Sequence, residues 1–432
     1  MLRIANLGGV FTGAGFAEKR GRHPVEADYG YVAGPLDLIC SPETGQLVGM
    51  GPPGTMSDHQ STDVFDAAGL FATAGLIDSH THAVFAGDRS AEFFQRWSGQ
   101  GYAAIAANGG GIHRTVADTT AASESDLEAV LLSRLQAMAS SGVTAIEVKS
   151  GYGGTPDGEL RLLRVIHRVR QRLAEIGLEV RSTFLGLHAL PEGWSEDDYC
   201  EAMIGLLPVI AAERLADCAD AFPERGFFSL KAAMKFLGAA RSHGLDVRIH
   251  ADELTAMGSA KAAVALGALS ADHLECTDDA GIAALAASET VAILLPSTSL
   301  HTGIDYVDAR RLIDRGVCVA LASDFNPGTA PASDLQFTML LAASKLRMSA
   351  AEILCAVTVN AAAALGLSKP SGTITVGQPA NLALWRQPSN SNATSCIDAL
   401  IVSRLRPVAV VRHGCLFDMA AFPQTSASEC VI

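Results

Sequence analysis

Through the middle of the chain, short apolar runs alternate with longer stretches in which apolar positions return every three or four residues. The runs are Gly69–Asp78, Val143–Val148, Val180–Leu185, Asp217–Phe222, Asp246–Ile249, Ala268–Asp272, Val291–Leu294 and Val317–Ala322, and they read as strands. Amphipathic stretches stand between most of them: Asp126–Ala139, Asp157–Ile176, Glu196–Ala212, Leu230–His243, Gly258–Leu266 and Ala309–Arg315. Eight strands alternating with helices over this length predict an α/β fold of the (β/α)8, or TIM, barrel type. A doubly wound open sheet is the competing layout. The phosphate fingerprint it often carries is missing, because Gly13-Ala14-Gly15 lacks both the third glycine and the strand–helix context.

The two ends have a different texture. Residues 1 to about 66 are rich in Gly and Pro, with short apolar pieces such as Leu36–Ile39 and Gln46–Met50. The same texture returns after about residue 367, in Gly372–Gly377, Asn381–Trp385 and Val408–Gly414. These ends predict one small β-sandwich domain built from residues 1–66 and 368–432 around a barrel of residues 67–367. Gln387–Ser395 reads as a surface loop and Gln424–Ile432 as a frayed tail.

Composition narrows the class further. At 432 residues, 49% of them hydrophobic, the chain can bury a sizeable core. A net charge of −14, with no basic run beyond the short Glu18–His23 stretch, argues against a nucleic-acid or anionic-membrane partner. The expected partner is a small molecule. The N-terminal stretch lacks a signal-peptide core, and no uninterrupted apolar run is long enough to span a bilayer. Nine cysteines, an odd number with no CxxC pair, fit reduced thiols and a cytoplasmic protein.

Chemistry concentrates where the strands end. The first ends in His80-Thr81-His82, and alternate residues of a strand share a face about 6.6 Å apart, so two imidazoles can converge on one ion. His188 lies just past the third strand, His250 ends the fifth, His273 the sixth, and Asp324 follows the eighth. In a barrel these ends form the catalytic rim. His80, His82 and His250 offer three nitrogens and Asp324 a carboxylate, a set that holds one metal ion, zinc or iron, and leaves a place for water. Such an ion brings water's pKa toward about 7, and Asp324 stands ready to take a proton and pass it to a leaving nitrogen. The fourth strand, Asp217–Phe222, ends without a lysine to bridge a second ion, and Lys149 lies on the second strand, so one ion is expected.

With this arrangement on strands one, five, six and eight, the chain resembles the amidohydrolase superfamily. More narrowly, it is similar to the imidazolonepropionase family. The segments that carry the likeness are His80–Ser90, Gly109–Ile112, Glu147–Gly153, Thr183–Ala189, His250–Glu253, Ser270–Leu274 and Ser323–Thr329. The resemblance implies a hydrolase that opens the ring amide of 4-imidazolone-5-propanoate to N-formimidoyl-L-glutamate in histidine degradation. It implies that Arg89 holds the propionate carboxylate, that Tyr152, His188, Asn326, Gly328 and Thr329 contact the substrate, and that Glu253 hydrogen-bonds the ring nitrogens. His273 would face the attacked carbonyl, and Lys149 would form a structural ion pair. A homodimer is the ordinary expectation. The stretch Ser297–Thr302 departs from the family pattern, and His301 within it reads as an exposed loop residue, as His113 and His167 read as structural. Another mononuclear amidohydrolase, such as a deaminase or iminohydrolase of a related heterocycle or amidine, fits the same ligands. A non-catalytic assembly protein on the same barrel is the reading from another class.

Overall fold

A computed structural model describes residues 1–56, 63–99, 110–367, 371–389 and 392–419. Five strands come first: β1 (Leu2–Phe11), β2 (Tyr31–Ser41), β3 (Gln46–Gly51), β4 (Asp63–Asp66) and β5 (Leu70–Ala74). Eight follow: β6 (Leu76–Asp78), β7 (Val143–Lys149), β8 (Glu179–Leu187), β9 (Cys218–Ala221), β10 (Asp246–Ala251), β11 (Ser270–His273), β12 (Val291–Leu294) and β13 (Val319–Leu321). The last three are β14 (Leu382–Arg386), β15 (Pro407–Arg412) and β16 (Cys415–Asp418).

Strands β6 to β13 lie side by side in sequence order, each parallel to the next. Parallel neighbours need long crossovers, and helices supply them. The helices start where a side chain can cap them: Ser123, Thr155, Ser195, Ser229 and Asp278 each accept a backbone N–H of the first turn. In Pro156–Ala174 a proline also opens the helix, and Leu162, Val165, Ile166, Val169 and Leu173 form the buried stripe against the sheet.

The barrel closes at its C-terminal rim. There Asp324 N–H donates to the His80 carbonyl at 3.0 Å, and His82 N–H donates to the Phe325 carbonyl at 2.9 Å. Just below, Ser323 N–H donates to Asp78 Oδ1 at 3.0 Å. The first and last barrel strands are therefore fastened by the backbone of the residues expected to hold the ion.

The terminal strands form one mixed sheet in the order β16-β15-β14-β5-β1-β2-β3, with β4 beside β1. Ile4, Leu7, Leu38, Leu47, Ala72, Leu384 and Val411, drawn from across that sheet, share one apolar cluster. The sheet thus encloses its own core as the two faces of a sandwich do. It docks on the barrel through Trp385, fully buried in the barrel's apolar cluster, while the indole N–H donates within the sheet to Thr73 Oγ1 at 2.9 Å. Gly142 makes room for that ring: its φ is 99°, and a Cβ there would lie 2.7 Å from the indole.

Three expectations need correction. The single strand Gly69–Asp78 is two, parted at Gly75: Leu70–Ala74 joins the terminal sheet and Leu76–Asp78 the barrel. The chain changes sheets at Gly75 because a Cβ there would meet the Thr144 side chain at 2.3 Å. The stretch Gln387–Ser395 is not all loop, since a helix spans Ala393–Val402, opened by Asn392 Oδ1 accepting from Ser395 N–H. Its buried Cys396, Ile397, Leu400 and Ile401 lie on one face, a stripe masked in the sequence by the polar residues before it. The third concerns His301, which lies in a helix, Pro296–Thr302, half-buried, with Nδ1–H donating to the Ser297 carbonyl at 2.7 Å. The expected tail Gln424–Ile432 lies outside the described residues. Among the described residues no helix is long and apolar enough to cross a membrane, and the cysteines are all free thiols.

Candidate metal centre and active site

The strand ends deliver their side chains to one point. His80 Nε2 and His82 Nε2 are 3.3 Å apart, and each is 3.4 Å from Asp324 Oδ1. His250 joins the two histidines, with donor atoms of the three within 4.8 Å of one another. All four residues are buried. Nitrogens and oxygens about 2.0–2.1 Å from a tetrahedral ion stand roughly 3.3–3.4 Å from each other, so the spacing suits a shared ion. Asp324 Oδ1 is buried and has no hydrogen-bond partner, a costly state for a carboxylate oxygen unless a cation faces it. The donor set fits one ion.

The other oxygen of Asp324 is occupied. Thr298 Oγ1 donates to Asp324 Oδ2 at 2.5 Å, which turns Oδ1 toward the histidines. Outside the imidazoles stand two carboxylates. Asp272 Oδ2 accepts from His80 Nδ1 at 2.6 Å, and Asp220 Oδ2 lies 3.0 Å from His250 Nδ1. The bond to Asp272 holds His80 with Nε2 inward, and Asp220 faces the outer nitrogen of His250. The sequence alone singles out none of Asp220, Asp272 and Thr298 as part of the site. The only signal in it is register: Asp220 and Asp272 fall at the same strand ends as the histidines, but strand order does not say which side chains meet.

Backbone strain gathers on the same rim. Asp252, His273, Leu274 and Asp324 have φ of 51°, 79°, 75° and 54°, a region non-glycine residues rarely enter. Each such residue costs on the order of 1–3 kcal/mol, held only where the surroundings dictate it. The sharp turns bring His273 and Asp324 to the cavity, while Asp252 accepts from Ser259 N–H and Ala260 N–H at the start of the next helix and Leu274 packs in the core.

Above the four donors opens a cavity of about 380 Å³, lined among others by Arg89, Tyr152, His188, Glu253, His273, Asn326 and Thr329. Arg89 is buried, and Glu92 takes its Nε at 3.0 Å and its Nη2 at 2.9 Å. Asp88, the acid next to it in the chain, instead accepts from Ser90. Gly328 makes way for that guanidinium, since a Cβ there would fall 2.3 Å from Arg89 Nη1. Asn326 spends its side chain on its own turn: Oδ1 accepts from Gly328 N–H and Thr329 N–H, and Nδ2 donates to the Asp324 carbonyl. Arg96, also on the cavity wall, donates to the Gly328 carbonyl at 2.7 Å.

His188 stacks on His82 with ring centroids 5.0 Å apart, and its Nδ1–H donates to the Gly151 carbonyl at 3.0 Å. Tyr152 packs against both rings. The loop that carries Tyr152 is held from behind by buried Glu159, which accepts from Gly151 N–H and Gly153 N–H. Burial lowers the pKa of His188 and His273 well below the usual histidine value, so both rings are neutral. Glu253 moves the other way. Burial, then the charges of Glu275, Asp324 and Glu224, push its pKa well above the ordinary glutamate value. Lys149 is in the ion pair expected of it, but with more partners than one, and it lies under the histidines.

A closed parallel barrel whose rim gathers three histidines and an aspartate is the architecture of the metal-dependent amidohydrolases. Residues 71–411 match the model of the amidohydrolase family, and the chain belongs to that family. It is 42% identical over 356 residues to an imidazolonepropionase of Bacillus velezensis, covering 82% of this chain and 84% of that one. The corresponding enzyme of Rubrobacter xylanophilus is 41% identical over 393 residues, 90% of this chain and 92% of the relative. Within the amidohydrolases, its place is among the imidazolonepropionases. Among solved structures, an adenosine deaminase from Xanthomonas campestris with bound zinc superposes with a TM-score of 0.70 at 15% identity, covering 99% and 95% of the two chains. A variant of atrazine chlorohydrolase from Arthrobacter aurescens, complexed with zinc and atraton, gives 0.68 at 16%, covering 99% and 98%. At that identity the likeness is one of fold.

Proposed function

We propose that this chain hydrolyses the ring amide of 4-imidazolone-5-propanoate to N-formimidoyl-L-glutamate, a step of histidine degradation, using one zinc or iron ion held by His80, His82, His250 and Asp324. The observation that carries it is the convergence of those donors on the floor of a cavity with Arg89 on its wall. A bound ion would supply Lewis acidity and a water that deprotonates near neutral pH.

The chain's own residues supply the rest. Arg89 receives the propionate carboxylate on the side of its guanidinium away from the Nε and Nη2 bonds to Glu92, which fixes the ring over the four donors. Tyr152 and His188 wall one side of the ring, and Asn326, Gly328 and Thr329 shape the opposite lip. Glu253 hydrogen-bonds the ring nitrogens. Asp324 takes a proton from the attacking water while Thr298 keeps its other oxygen in place. The water oxygen bonds to the ring carbonyl carbon, and His273 faces the oxyanion that forms. The carbon–nitrogen bond then breaks, its electron pair goes to nitrogen, and the proton held by Asp324 follows. A carboxylic acid and a formimidoyl nitrogen result, and the acid's proton passes to the basic amidine to leave a carboxylate, with one water consumed.

The site is built for a small molecule, and the acidic chain is read as cytoplasmic and dimeric, without nucleic-acid or membrane partners. Metal analysis combined with the decay of imidazolonepropionate absorbance tests the whole reading. A metal-loaded sample that leaves the absorbance unchanged refutes it. A deaminase would instead release ammonia from an amidine or heterocycle lacking the propionate, and a panel of such compounds separates the two.

A further inference from the structure

Beneath the four candidate ligands lies a second set of charges. Lys149, the last residue of β7, is fully buried. Its Nζ is 2.8 Å from Glu147 Oε1, 2.8 Å from Asp220 Oδ2 and 3.8 Å from Asp272 Oδ2. Arg248 on β10 reaches Glu147 Oε1 at 3.2 Å. Burial alone would lower the lysine's pKa, but the carboxylates of Asp220 and Glu147 outweigh it and keep the ammonium charged. Two of its three neighbours are the carboxylates that face the outer nitrogens of His250 and His80.

We propose that Lys149 is a positioning residue of the metal site, tying Asp220 and Asp272 together so that His250 and His80 both present Nε2 to the same ion. The inference rests on the four-ligand reading above. Asp220 and Asp272 come from β9 and β11, on either side of β10, which carries His250. Two buried carboxylates so placed repel each other, and without a cation between them each would turn to relieve the repulsion. An imidazole follows the carboxylate that holds its Nδ1, so the turn would carry the inner nitrogens out of register. An ammonium with three donors at tetrahedral angles can hold three carboxylates at once.

Charge balance alone predicts the opposite behaviour, which makes the idea testable. Lys149 is a positive charge close to a site for a cation. If it did nothing but balance the core, removing it should tighten metal binding. If it positions the histidines, removing it should weaken binding. The experiment is chelator competition for zinc on the full chain, comparing the natural protein with Lys149→Met and with the double variant Lys149→Met/Glu147→Gln. The second variant removes one charge of each sign and preserves volume, with folding followed by circular dichroism. We expect zinc affinity to fall about tenfold or more in the folded variants, the scale for groups that orient metal-bound histidines. Equal or tighter binding in either folded variant overturns the proposal. Loss of the fold in both also overturns it, because Lys149 then serves the barrel before the site. Absence of zinc binding in the natural chain would instead defeat the four-ligand reading on which this one stands.

Discussion

Single residues decide which way each group at the rim points. Thr298 is a clear case, because its hydroxyl fixes the orientation of Asp324. Thr298→Val keeps the shape and removes the donor, and kcat should fall about tenfold with KM little changed, as measured by steady-state kinetics on metal-loaded protein. Arg89→Ala should instead act through KM. Losing a charge-assisted contact costs about 2–3 kcal/mol, so KM for a propionate-bearing substrate should rise roughly 30- to 150-fold. An analogue lacking the carboxylate should be little affected; equal damage to both would remove Arg89 from the binding role. Glu159 yields a prediction in pH. Burial raises its pKa from 4.5 to about 7, against the Ser150, Gly153 and Gly151 donors that lower it. The folded state then holds a proton that the unfolded state has released, so Glu159 drains stability as pH climbs from about 4.5 to about 7 and no further. Relative to the natural chain, Glu159→Gln should gain up to about 3 kcal/mol across that window, read from denaturant midpoints at several pH values. Parallel curves would show that Glu159 is ionised throughout. At this scale the sequence is informative for His80, His82, His250 and Asp324, because the two-residue period of a strand and the ends of strands give those positions a geometric meaning by spacing alone. It is silent on Asp220, Asp272 and Thr298. A buried acid inside a short strand looks like any strand end, and the bond from Thr298 to Asp324 joins positions far apart in the chain.

Elements are legible where periodicity is strong. The long helices, such as Pro156–Ala174, announce themselves by a cap, a proline and an apolar stripe. The helix Pro296–Thr302 does not. Its buried positions are filled by polar Ser297, Thr298 and Ser299, the last two donating to Asp324 and Glu275, so the usual apolar signal is missing. The strand Gly69–Asp78 misleads for the converse reason. Both sheets want apolar residues, and only the lack of room beside Thr144 marks Gly75 as the crossing point. The segment after β6 depends on one buried cation: Arg134 Nη1 donates to the Ala83 and Phe85 carbonyls at 2.9 and 2.7 Å, and its guanidinium lies 3.5 Å from the centre of the Phe85 ring. Arg134→Met should leave those carbonyls without that donor, lowering stability by about 2–4 kcal/mol and Tm with it. Calorimetry of the metal-loaded protein checks this, and an unchanged Tm would mean that water replaces the guanidinium.

Across the whole molecule the two sheets divide the labour. The terminal sheet encloses its own core and grips the barrel through Trp385, whose ring packs at Gly142 just ahead of β7, while the chemistry gathers at the C-terminal ends of the barrel strands. An ion held by residues from β6, β10 and β13 binds the folded state alone and must stabilise it by mass action. Stripping it with a chelator should lower Tm by several degrees, and adding zinc or iron back should restore it. A thermal shift with no metal dependence would contradict the four-ligand site.

The rim seam, where Asp324 bonds to His80 and His82 to Phe325, has a consequence for biosynthesis. A ribosome delivers the three imidazoles long before it delivers the carboxylate. Until β13 is made and docked, His80 and His82 lack the backbone partners they meet across the seam. On the four-ligand reading Asp324 would complete the ion's ligands as it shuts the ring of strands, so ion binding and completion of the barrel would be a single late event.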